Sequence, residues 1–107
     1  MVNEARRGLV GVNLPPRAGR HAAVLLSRDA AYRVRAAITI APVTPTIRNM
    51  PVEVVLDRSD SMPARCVVNL DDITTLPKVL IKQRITALST EKIQQVDQAI
   101  RFALDLD

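Results

Sequence analysis

Apolar positions come in short runs broken by proline, glycine and charged clusters, and only one stretch near the end keeps a helical repeat. Residues 8–14 alternate loosely and read as a strand. Leu14-Pro15-Pro16-Arg17-Ala18-Gly19-Arg20 is a loop, since two prolines withdraw backbone donors and Gly19 accepts angles other residues avoid. Residues 21–27 are a nearly continuous apolar run of strand length. Residues 29–32 suggest one helical turn that Ser27 or Asp29 can cap. Residues 34–43, rich in β-branched side chains, read as another buried strand. Pro42, Pro45 and Pro51 bracket an irregular stretch, after which 51–56 alternate with Glu53 facing out. Residues 57–64 are turn-like, 66–69 and 70–75 supply further strand material, Pro77 opens a short helical turn, and 82–88 read as a last strand. The one strong helix follows Ser89, a natural N-cap, with Glu91 in the first turn complementing the helix dipole. Ile93, Val96, Ile100, Ala103 and Leu104 recur at helical spacing and form an apolar stripe. The pattern predicts a mainly β (α+β) fold: a twisted, mostly antiparallel sheet or small open barrel closed by a C-terminal helix.

The length of 107 residues fits a single domain, 1–107, with one modest core. Tyr32 and Phe102 are its only aromatics, so that core must be built from Val, Ile, Leu and Ala. Cys66 is alone, cannot form an internal disulfide, and reads as a buried thiol in a reducing compartment. No apolar run approaches the roughly 20 residues of a membrane span, and the start lacks the length and cleavage site of a signal peptide. The expectation is a cytoplasmic protein without membrane contact. The net charge of +4 is unevenly spread: from Arg6 to Arg48 there are eight arginines and one acid, Asp29, and the first lysine is Lys78. Clustered guanidinium forks suit phosphate recognition and point to a polyanionic partner, most commonly nucleic acid.

Several chemistries are excluded. One His and one Cys cannot make a zinc site, no metal-ligand spacing exists, and no glycine-rich phosphate loop or nucleophile elbow is present. Asp71 and Asp72, read as adjacent strand residues, would point to opposite faces rather than form a dyad. Cleavage of RNA by its own 2′-hydroxyl stays open. It needs neither metal, cofactor nor protein nucleophile, only a proton acceptor, a proton donor and stabilisation of the phosphorane.

Six segments, in order, carry a resemblance. Arg7-Gly8 matches an opening Arg-Gly before a first strand. Residues 19–29 (Gly-Arg-His-Ala-Ala-Val-Leu-Leu-Ser-Arg-Asp) resemble "RRPxVVLSND", and Ala41-Pro42-Val43-Thr44-Pro45-Thr46-Ile47-Arg48 resembles "APxTSxIR". Residues 51–56 are similar to "PFEVxL", residues 67–73 to "SVVNLDQI", and the stretch from Ile85 onward to "IGxLSxExMxxVDxALxxxLxL". Together they resemble the MazF/PemK family of endoribonuclease toxins, within the wider Kid/CcdB superfamily. The resemblance implies an SH3-like barrel, a homodimer, metal-independent cleavage of single-stranded RNA at short motifs leaving a cyclic phosphate, and neutralisation by an acidic, MazE-like antitoxin.

The family's activity rests on an arginine before the proline of "RRP" and on a hydroxyl of the "T-S" segment. The hydroxyl maps onto Thr44. The arginine's column holds His21, the proline's holds Ala22, and Arg20 precedes them. Either Arg20 takes the catalytic role, or His21 replaces it as an acid–base group, or the site is weakened. Losing the proline also frees the backbone of the preceding residue. With so few aromatics for base stacking, RNA contact falls to arginine planes and neighbouring hydroxyls, with Arg17, Thr46, Arg48 and Arg65 as candidates. A non-enzymatic alternative is a toxin-fold protein that only binds antitoxin, or a CcdB-like gyrase poison. The ending Leu104-Asp105-Leu106-Asp107 lacks the Trp-Gly-Ile tail of the gyrase poisons.

Overall fold

The structure is a computed structural model describing residues 7–13 and 20–107, with Arg20 described in its backbone alone. Seven strands carry the fold: β1 (Gly8–Asn13), β2 (Arg20–Leu25), β3 (Ala37–Thr44), β4 (Glu53–Leu56), β5 (Cys66–Asn69), β6 (Thr74–Pro77) and β7 (Ile81–Ala87). A one-turn helix, α1 (Ala31–Val34), joins β2 to β3, and α2 (Thr90–Ala103) closes the chain. The strands follow the order β4-β5-β3-β2-β1-β7, with β6 also on β3, and every pairing is antiparallel.

Strand β3 is the hinge of this architecture. Its first half pairs with β6 from Ala37↔Pro77 to Ile40↔Thr74, while its last residues pair with β5, Val43↔Val68 and Thr44↔Val67. The strand therefore leaves one layer and enters the other, and two register breaks between β1 and β7 add further curvature. The result is the twisted antiparallel sheet with a C-terminal helix that the pattern predicts.

Continuous apolar runs in β1 to β3 arise because both faces of these strands are covered. Leu9, Val24 and Ala41 face a core shared with Val54, Leu56, Val68, Leu70 and the buried side of α2, Val96 and Ala99. Their alternating neighbours Val10, Ala23 and Ile40 face a second core with Val12, Leu25 and Ile38, covered by Tyr32, Leu76, Leu80 and Ile81. Burial pushes the Tyr32 phenol up to about 12, against a partial lowering by Ser27. Aliphatic side chains fill both layers, as the scarcity of aromatics requires.

Three local expectations need correction. The turn at α1 lies two residues later than 29–32 and has no side-chain cap; Ser27 Oγ instead accepts from the Thr39 amide at 2.9 Å, tying β2 to β3. Residues 57–64 are turn-like as expected, holding a 3-10 turn, Arg58–Asp60, closed by a reciprocal Asp57–Asp60 capping box. Leu70–Asp72 is also a 3-10 turn rather than strand, because the Asn69 side chain accepts from the Asp71 amide and turns the backbone. In α2, Ser89 is the N-cap as expected, its Oγ accepting from the Lys92 amide. Leu104, however, lies beyond the helix and is exposed, and Ala99 takes its place in the buried stripe.

Arg7 adopts a left-handed backbone angle, φ 50°. Its guanidinium repays this: Nε donates to Asp97 Oδ1 at 2.9 Å and Nη1 to the Leu26 carbonyl at 3.0 Å. The opening Arg-Gly thereby ties the end of β2 to α2 and takes a structural part.

Candidate functional site

The β2–β3 pairing runs Leu25↔Ile40, Val24↔Ala41, Ala23↔Pro42. The pairing ends there, because Val43 and Thr44 turn onto β5 while His21 stays on β2. A sheet that splits here leaves side chains facing a gap instead of another strand. The gap is a groove of about 620 Å³ lined by His21, Thr44, Thr46, Arg48, Asn69 and Asp72, with the Pro42–Pro45 segment as its wall. A smaller depression of about 240 Å³ shares that wall and continues past Ala22 to Met62, Arg65 and Cys66. His21 and Thr44 stand on the ridge between the two.

The backbone around Thr44 is set by its own hydroxyl. Thr44 Oγ1 accepts from the Thr46 amide at 3.2 Å, a short side-chain turn that starts the loop after β3. A hydroxyl that accepts there keeps its proton free to donate into the groove. His21 is half-buried, and its Nε2 is covered and lacks a hydrogen-bond partner among the described residues. An unpaired buried ring nitrogen is uncommon and marks a group with spare hydrogen-bonding capacity.

Arg48 is exposed along the groove, and its loop is held from below. The Glu53 carboxylate accepts from the Arg48 amide at 3.0 Å and from the Met50 amide at 3.4 Å, while Asn49 between them takes a left-handed angle, φ 57°. Glu53 is therefore half-buried and engaged rather than merely outward-facing. Arg65 is exposed on the rim of the smaller depression.

The groove thus gathers His21, Thr44, Thr46 and Arg48, with Arg65 nearby. Arg17 and the side chain of Arg20 lie outside the described residues. Asn69 and Asp72 line the same groove and were not among the sequence candidates. The signal available was the Asn69-Leu70-Asp71-Asp72 stretch, read as strand and set aside as a dyad. Cys66 borders the smaller depression, but burial first, then the carboxylates of Asp60 and Asp57, push its thiol up. A nucleophilic thiol needs the opposite shift, so the reading of Cys66 as a core residue stands. Among the described residues no helix is long and apolar enough to cross a membrane.

Comparison with known proteins places these features in context. A family profile described as PemK-like, MazF-like toxin of type II toxin–antitoxin system matches residues 5–104. The chain is 39% identical over 89 residues to a probable endoribonuclease MazF5 of Mycobacterium tuberculosis, covering 81% of each protein. It is 34% identical over 97 residues to a probable endoribonuclease MazF2 from the same organism, covering 90% of this chain and 94% of the relative. Its fold superposes on the M. tuberculosis toxin MazF-mt6 with a TM-score of 0.86 at 26% identity, covering 94% of this chain and 99% of the other.

Proposed function

Because the chain belongs to the PemK-like, MazF-like toxin family of type II toxin–antitoxin systems, we propose that it is a metal-independent endoribonuclease that cuts single-stranded RNA at short motifs. It acts in the cytoplasm as a homodimer and is silenced by an acidic, MazE-like antitoxin, whose negative charge suits the arginine-rich half of the chain. The observation that carries this reading is the meeting of His21, Thr44 and Arg48 along one groove.

In the reaction the RNA 2′-oxygen attacks the adjacent phosphorus. The O2′–P bond forms, the P–O5′ bond breaks, and the products carry a 2′,3′-cyclic phosphate and a free 5′-hydroxyl. Either the His21 imidazole or the Arg20 guanidinium takes part in moving the proton from the 2′-oxygen towards the leaving 5′-oxygen. The Thr44 hydroxyl donates to a non-bridging phosphoryl oxygen as charge builds there. Arg48 neutralises a flanking phosphate and holds the strand in line. Thr44 ends β3 and Arg48 lies in the loop that follows, whose backbone is set by Thr44 Oγ1 and the Glu53 carboxylate, so little reorganisation is needed when the phosphorane forms.

Purified protein incubated with a long single-stranded RNA in EDTA tests this. We expect discrete cuts with 2′,3′-cyclic ends, reduced by about a hundredfold or more in Thr44→Ala. His21→Ala and Arg20→Ala decide which side chain moves the proton, the responsible variant losing about 10² to 10⁴ in rate. Growth arrest by the protein with all cellular RNA intact would place the target elsewhere and overturn the proposal.

A further inference from the structure

One member of the groove does not suit a surface built only to hold phosphates. Asp72 is exposed on its wall, and a carboxylate there repels every phosphate that passes. It is also deliberately placed. Asn69, only 8% exposed, donates from Nδ2 to Asp72 Oδ2 at 3.0 Å, while its Oδ1 accepts from the Asp71 amide at 2.9 Å. The two ends of this amide meet opposite chemistry, so its orientation is fixed: reversed, it would set an oxygen against a carboxylate and a donor against an amide N–H. Asn69 thus turns the chain into the 3-10 turn and aims the Asp72 carboxylate with the same group. Among the described residues no cation pairs with Asp72.

Building on the nuclease reading, we propose that Asp72 determines base specificity by accepting hydrogen bonds from the Watson–Crick edge of a guanine beside the scissile phosphate. An ionised carboxylate is acceptor-only, with about four lone-pair positions, of which Asn69 occupies one. Guanine is the one RNA base whose edge offers two adjacent donors, N1–H and the N2 amino group, and these match the two oxygens. Adenine and cytosine bring one amino group next to a bare ring nitrogen, whose lone pair faces the carboxylate. Uracil brings a single N–H between two carbonyls. A wrong base therefore leaves a desolvated carboxylate poorly satisfied inside the groove, and discrimination comes from that loss. The repulsion between Asp72 and the backbone is what keeps the site from gripping RNA of any sequence.

The test is to cut a pool of randomised single-stranded RNA with wild type, Asp72→Asn, Asp72→Ala and Thr44→Ala, and to sequence the new ends. Wild type is expected to require guanine at one fixed position near the cut. Asp72→Asn replaces one acceptor by a donor at nearly constant shape, so the guanine preference at that position falls by about 10-fold or more, with adenine or cytosine gaining. Asp72→Ala makes the position indifferent, while the other positions of the motif stay as in wild type. Unchanged preferences in both variants, or a wild-type motif without guanine, overturn this inference while the nuclease reading stands. Wild type that makes no cut beyond the Thr44→Ala background overturns both.

Discussion

Position 66 shows how little a residue type says before its neighbours are known. A lone cysteine beside a groove invites a catalytic reading, yet its side chain is nearly closed off, with Sγ facing the Leu56 carbonyl at 3.8 Å. Burial and two nearby carboxylates raise its pKa, so thiolate is scarce at neutral pH. We expect a thiol reagent at pH 8 to label the native protein far more slowly than the same chain in denaturant, measured by mass; equal rates would show that Cys66 is accessible. Thr44 and His21 are the reverse case. Their residue types are ordinary, and what singles them out is that the fold sets both along one groove, where β3 parts from β2. The motif comparison identifies Thr44 as a candidate because the flanking Ala41-Pro42 and Ile47-Arg48 fix the register. It left His21 and Arg20 undivided, since the choice depends on side-chain placement around a loop.

Among the elements, α2 was the most legible, because a capped amphipathic helix carries its start signal and its buried stripe in a short span of sequence. Its cap is a checkable contribution: Ser89→Ala leaves the Lys92 amide without its partner and lowers unfolding stability by about 1 kcal/mol. A urea titration reads this as a lower midpoint at unchanged slope. The strands were legible as apolar runs, although most of their ends shifted, by up to four residues at the start of β6. Leu70–Asp72 reads as strand because it runs between the apolar Cys66–Asn69 and the β-branched Ile73-Thr74-Thr75, while Asn69 supplies a local hydrogen bond that bends the chain. That competition between a side chain and the sheet is invisible to periodicity. It also matters most for function, since the bend brings Asp72 into the groove.

For the molecule as a whole, charge is the property that reaches furthest. With a net charge of +4 and arginines concentrated in the first half, RNA binding should weaken steeply with salt, each phosphate contact adding about 0.7 to the slope of log K against log salt. Arg48→Ala, which leaves the Glu53-held backbone of its loop in place, should reduce that slope by about 0.7 and weaken binding similarly for all sequences. Fluorescence anisotropy with a labelled RNA, in the uncleaving Thr44→Ala background, measures both. An unchanged slope would remove Arg48 from the phosphate track. Asp72→Asn should do the contrary, easing repulsion and raising affinity for mismatched RNA.

The order of apolar runs, the cap at Ser89, the shortage of aromatics and the asymmetry of arginines are written in the chain, and they determine a twisted sheet with aliphatic cores, a closing helix and a basic half suited to a polyanion. These are local or additive properties, so they survive without coordinates. The groove is neither local nor additive. It exists because β3 leaves β2 for β5, which brings His21, Thr44 and Asp72 together from segments far apart in sequence. Only the tertiary structure decided which side chains share that groove, and which of two consecutive aspartates reaches it.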